Sequence, residues 1–152
     1  MIFKTILFLV VNFVALGIGG IFTEKGVVSE WYLSLNKAPW TPPGWVFGAA
    51  WTTIMICFAI YMAFALEKVK NRKALIALFS IQWVLNVAWN PVFFYFHHLS
   101  GGLILIGALT LLIAVLLFRY GPVLGFKSIL LVPYFLWLLI ATSLNAYCWW
   151  YN

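Results

Sequence analysis

Five runs of apolar residues, each long enough to cross a lipid bilayer as a helix, leave this chain few ways to fold. The hydrocarbon core takes about 20 residues of helix. Inside it, every backbone N–H and C=O must find a partner within the protein. The runs extend approximately over residues 5–22, 45–66, 74–96, 99–118 and 128–150. None shows the two-residue alternation of a membrane strand, which disfavours a β-barrel. A soluble domain carries roughly a quarter of its residues as charges, whereas here only 8% of 152 residues are charged. The expectation is an all-α integral membrane protein, a five-transmembrane-helix bundle forming a single domain over residues 1–152. Lys4 ahead of the first run has the look of a signal peptide. The run, however, continues through Gly17-Ile18-Gly19-Gly20 with no small-x-small cleavage site before Glu24, so it is read as a retained helix.

The net charge of +6 raises the question of nucleic acid, and the placement of the charges answers it. Lys4, Lys68, Lys70, Arg72, Lys73, Arg119 and Lys127 fall on one side of a five-span chain, against Lys25 and Lys37 on the other. Positive residues concentrate on the cytoplasmic side. The amino terminus is therefore expected in the cytoplasm and the carboxyl terminus outside, in a multi-pass protein of a cell membrane. The basic turn is then a topological signal that can touch anionic lipid headgroups. Nucleic acid is not expected as a partner.

What is missing narrows the chemistry. The chain has no Asp, and Glu24, Glu30 and Glu67 all lie in connections. Ion-coupled transporters and pumps need ionisable groups at depth, and acid–base catalysis needs a titratable group beside the substrate. Neighbouring helical residues point about 100° apart, so His97-His98 cannot readily chelate one ion, and no metal site is expected. Cys57 and Cys148 lie at different depths and are read as unpaired packing residues.

What is present is aromatic and amide. Trp51, Met55, Phe58 and Met62 share one helical face, as do Gln82, Asn86, Trp89, Asn90 and Phe93. Trp137, Ala141, Leu144 and Asn145 form a third stripe after Pro133-Tyr134. Buried amides are costly unless paired, so Asn86, Asn90 and Asn145 are expected to face the bundle interior, as interhelical bonds or as ligand contacts. Trp40, Trp45, Trp149 and Trp150 sit near span ends and suit an interfacial belt. Trp51, Trp89 and Trp137 lie deeper and describe an apolar chamber with a few polar groups, the usual make-up of a site for a flat hydrophobic molecule. Pro91 is expected to kink the third helix beside this chamber. The fourth span, mostly Leu, Ile and Ala, is expected to face lipid or a partner, with Gly101-Gly102 and Gly107-Ala108 as close helix contacts. The connection from Trp31 to Pro43 carries two Trp, a Tyr and three Pro, and reads as a stiff cover over the chamber.

These residues resemble the tryptophan-rich sensory protein / translocator protein (TspO/MBR) family, also known as peripheral-type benzodiazepine receptors. The resemblance rests on four pieces in order: Trp31-Tyr32-x-x-Leu35-x-Lys37-x-Pro39-Trp40-x-Pro42-Pro43; Trp45-x-x-Gly48-x-x-Trp51 with Tyr61; Gln82-x-x-Leu85-Asn86-x-x-Trp89-x-x-x-Phe93-Phe94; and Pro133-Tyr134-x-x-Trp137-x-x-x-Ala141-Thr142-x-Leu144-Asn145. It implies a five-helix bundle, usually a homodimer, with a pocket for protoporphyrin IX or a related tetrapyrrole and for drug-like isoquinolines and benzodiazepines. The family's pocket positions fall on Tyr32, Trp51, Asn86, Trp89, Trp137 and Ala141. The stripes and the cover add Pro42, Pro43, Phe58, Asn90 and Phe93. No cofactor is obligatory. Animal members carry a carboxy-terminal cholesterol-recognition stretch. Here its Tyr and Arg positions hold Ala146 and Trp150, so cholesterol binding is not carried over.

The leading expectation is a tetrapyrrole receptor serving sensing, regulation or stress response. Trp51, Trp89 and Trp137 would pack the ring, Asn86 would orient it and Lys37 would meet a propionate. One alternative is a light-driven porphyrin-degrading enzyme, in which Trp51 and Trp137 would be the catalytic residues. Another is a passive translocator of tetrapyrroles or lipids.

Overall fold

The computed structural model describes residues 1–152 and contains helices without any strand. Five long helices, α1 (Ile2–Val27), α3 (Gly44–Lys68), α4 (Arg72–Phe94), α5 (Leu99–Leu124) and α6 (Val132–Tyr151), are joined by one short helix, α2 (Glu30–Ser34), and a 3-10 segment, Gly125–Leu131. Four helical stretches are long and apolar enough to cross a membrane: α1, α3, α4 and the 53-residue run Leu99–Tyr151 that holds α5 and α6. Apolar side chains cover the outside, with Ile104, Leu111 and Phe118 on α5 each about 70% exposed. In water that surface would aggregate, whereas in lipid it is solvated.

Local chemistry sets the boundaries. The hydroxyl of Ser29 accepts from the Tyr32 N–H to start α2, the Asn71 Oδ1 accepts from the Ala74 N–H to start α4, and the His98 Nδ1 accepts from the Gly101 N–H to start α5. Gly125, at φ +56°, ends α5 in a conformation that side chains disfavour. Pro133 in the first turn of α6 costs no helical hydrogen bond. The helices therefore depart from the apolar runs. α5 continues beyond Phe118 to Leu124, and α6 begins at Val132 rather than at Ser128, which lies in the 3-10 segment. α4 passes through Pro91 and ends at Phe94, before His97 at φ +54°.

The long helices form a ring in the order α1, α4, α5, α6, α3, with α3 returning to α1 and the 3-10 segment helping to close α6 on α3. One end ties Lys4 and the amino terminus to Glu67, with ion pairs of 3.2 and 3.5 Å. The other gathers the connection after α2, the His97 turn and the carboxyl terminus. Towards the Glu67 end the ring is solid. Phe58, Tyr61, Phe79 and Tyr134 interlock there, with Phe58 centred 5.4 Å from Tyr134 and 5.7 Å from Phe79. Tyr61 donates to the Leu116 carbonyl, and Gln82 donates to the Tyr134 hydroxyl at 2.7 Å.

α5 departs from the sequence expectation. Ile106, Leu109, Ile113, Leu116 and Tyr120 on one face are buried, so the helix packs between α4 and α6 and offers only its opposite face outwards. A plain Leu/Ile/Ala composition does not distinguish a helix bathed in lipid from one that also fills a core. Gly102 meets Phe93 and Asn145 closely, but Gly107 meets nothing within 4 Å and is no contact point.

α1 and α4 approach closely where a Cβ at Gly26 would run into the ring and Cβ of the buried Phe94. Overpacking of this kind costs about 1–3 kcal/mol. Gly26→Ala should lower stability by that amount in a detergent unfolding titration. Gly17→Ala, with no neighbour within 4 Å, should not.

Candidate functional site

Towards the other end the bulky residues give way to Ala15, Gly19, Gly20, Gly48 and Ala141, and the ring opens around a chamber of about 590 Å³. α1 contributes its small residues with Leu16 and Thr23, α3 contributes Phe47 and Trp51, α4 contributes Asn86, Trp89, Asn90, Phe93 and Phe94, and α5 adds Ile106. α6 supplies Trp137, Ala141, Leu144, Asn145 and Cys148. Tyr32, Lys37, Thr41 and Pro42 come from the cover, and Glu24 is the one acid in the wall. The volume falls within the ~300–1,000 Å³ of small-molecule sites.

Two amides that line the chamber are already committed to holding it together. The Thr23 hydroxyl donates to Asn90 Oδ1 at 2.8 Å, and Asn90 Nδ2 donates to the Asn86 carbonyl at 3.0 Å, tying α1 to α4. The Trp89 indole N–H donates to Asn145 Oδ1 at 3.1 Å, and Asn145 Nδ2 donates to the Ala141 carbonyl, tying α4 to α6. The Asn86 side-chain amide enters no hydrogen bond within the protein, though the residue is buried and lines the chamber. The Trp137 indole N–H is likewise buried without a partner. An unmet buried donor costs about 1–3 kcal/mol, and of these two groups the Asn86 amide is the one with capacity to spare towards the chamber.

The cover is fastened on both sides. Trp31 stacks on His97 at 4.1 Å and 12°, and Tyr32 leans on Phe93 and Phe94. Further on, the Asn36 N–H donates to Asn152 Oδ1 and Asn152 Nδ2 donates back to the Asn36 carbonyl, at 2.9 and 3.1 Å. The Trp40 indole donates to the Ser143 hydroxyl. Lys37 Nζ lies 4.6 Å from the centre of the Tyr32 ring, a cation–π contact at the rim. Burial pushes the Tyr32 phenol above its ordinary value, with Cys148 adding in the same direction, so the hydroxyl stays protonated at neutral pH.

Of the residues singled out from sequence, Tyr32, Pro42, Trp51, Asn86, Trp89, Asn90, Phe93, Trp137 and Ala141 lie together in the wall. Two do not. Phe58, two turns below Trp51, is completely buried in the solid half, and Pro43 is exposed at the N-cap of α3. His97 and His98 are also outside the wall, and no three metal-binding side chains cluster anywhere in the chain. Sequence reasoning missed the α1 wall, Phe47 and Cys148. Gly19 and Thr23, four residues apart on one face, were the available signal for α1.

The model of the TspO/MBR family matches residues 7–151. The chain belongs to this family. Protein CrtK of Rhodobacter capsulatus is 33% identical over 137 residues, covering 86% of this chain and 81% of that protein. A tryptophan-rich sensory protein of Cereibacter sphaeroides is 31% identical over 116 residues, 76% and 73% of the two chains. The human translocator protein is 32% identical over 128 residues, 80% and 73% of the two. Within this TspO/MBR protein, the Trp89–Asn145 bond is the brace across the chamber. A Trp89→Phe, Asn145→Ala double-mutant cycle should give a coupling of about 0.6 kcal/mol, the typical value between membrane helices and at most ~1.7. The measurement is equilibrium unfolding in mixed micelles.

Proposed function

We propose that this TspO/MBR protein is a membrane receptor that binds a tetrapyrrole such as protoporphyrin IX, or another flat hydrophobic molecule, in the chamber under the cover. Five crossings of the bilayer frame it, α5 and α6 each making one. The amino terminus lies in the cytoplasm, because Lys4, the Lys68–Lys73 turn, Arg119 and Lys127 share one end while the cover sits at the other.

The observation that carries the reading is the convergence of Trp51, Trp89 and Trp137 on one apolar space whose uncommitted polar groups include the Asn86 amide. Indole faces hold a planar ring by area and by offset stacking, without needing a charge. Asn86 offers both donors and an acceptor to pyrrole nitrogens or carbonyls. A carboxylate at the rim would meet Lys37, while Glu24 disfavours a second one close by. No histidine reaches the space, which favours a metal-free ring over haem, and Cys148 contributes the only sulfur of the wall.

Titration with protoporphyrin IX, followed by Trp quenching, tests the reading. The Trp51→Phe, Trp137→Phe double variant should weaken binding by about 1–2 kcal/mol, roughly five- to thirtyfold in Kd. Unchanged affinity would move the ligand out of this chamber.

A further inference from the structure

We propose that the ligand enters this chamber sideways from the bilayer, through the seam between α3 and α6, and that Trp137 is the door. The inference rests on the chamber being a ligand site. It follows from one coincidence of geometry: Trp137 lines two spaces. One is the chamber. The other is a separate groove on the outside of the ring, about 380 Å³, between Val46, Ala49, Ala50 and Thr53 of α3 and Pro133, Leu136 and Ile140 of α6. Trp137 is the one residue common to the two linings.

Three further features suit a door. Among neighbours in the ring, α3 and α6 make the slightest contact, and part of their closure is delegated to the 3-10 segment. The groove is open because Ala49, Ala50 and Thr53 are small, and its floor is apolar apart from the Thr53 hydroxyl, which is spent on the Ala49 carbonyl. Trp137 itself is held by packing alone. Its N–H has no partner, and its nearest aromatic neighbour, Phe47, meets it edge-on at 5.2 Å. Trp89, by contrast, is pinned by Asn145. Rotation of Trp137 breaks no hydrogen bond within the protein and has only packing to overcome.

The cover is a poor entrance for the same reasons. Reciprocal amide bonds between Asn36 and Asn152, the Trp40–Ser143 bond and the Trp31–His97 stack would all have to yield. A flat apolar molecule also partitions into lipid, so the route from the bilayer meets it where it is concentrated.

The test is stopped-flow quenching with protoporphyrin IX and protein reconstituted in phosphatidylcholine vesicles. Ala50→Phe fills the groove from α3, and Ile140→Trp narrows it from α6 should the first variant not fold; neither residue lines the chamber. A blocked door slows entry and exit alike, so association and dissociation rates should both fall, by about tenfold, with Kd unchanged. Asn152→Ala, which frees the cover, should leave both rates as they are. Unchanged rates in the groove variants, or faster rates in Asn152→Ala, would overturn the portal while leaving the chamber intact. A changed Kd with one rate unaffected would make the groove part of the binding site and also overturn it. Absence of any binding to the parent protein would remove the ligand reading and the portal together.

Discussion

Two hydrogen bonds between helices, Thr23 to Asn90 and Trp89 to Asn145, underlie the architecture of this bundle. In lipid there is little hydrophobic force to press helices together, so packing and interhelical polar bonds must do it. At the Glu67 end large aromatic rings fill the ring of helices and hold it by contact. At the other end the rings stand in the wall and leave the middle open, and the helices would close on the gap if nothing kept them apart. The committed amides tie α1 to α4 and α4 to α6 from the wall, without occupying the space they enclose. At about 24 cal/mol per Å³, a dry void of some 590 Å³ would cost on the order of 14 kcal/mol. That is as large as the whole stability of an ordinary domain. Such a space is tenable only when ligand, lipid or water fills it, which is why its shape and chemistry bear on function.

Much of this was legible in the sequence because periodicity survives in a membrane helix even where hydropathy is uniform. Trp51, Asn86, Trp89 and Trp137 stand on the inward faces that helical spacing assigns them, and they reach one space. The same spacing placed Phe58 inward correctly but could not give its depth, so a core residue and a wall residue looked alike. The α1 wall was harder to see for a different reason. Gly19 and Gly20 shape the chamber by lacking a side chain, and an absence has no stripe. Only the outward face of α5 was read, because Leu and Ile serve equally well against lipid and against protein.

The amides show where composition alone misleads. Asn86, Asn90 and Asn145 have identical side chains and similar surroundings in the sequence. Only the coordinates separate the two that brace the bundle from the one left unspent. The cover was easier. A segment with three prolines and several aromatic rings had to lie on something apolar, and it does, with Asn152 at the chain's end as its clasp. A clasp made by one residue of each partner could not have been read from either partner's neighbours.

The most direct test of the account is where a bound ring sits. A crystal of this protein grown with a bromine-labelled, metal-free porphyrin would locate the label by its anomalous signal. The account predicts peaks beneath Pro42, between Trp51 of α3 and Trp137 of α6. Peaks confined to the lipid-facing surface, with the chamber free of the ring, would contradict it.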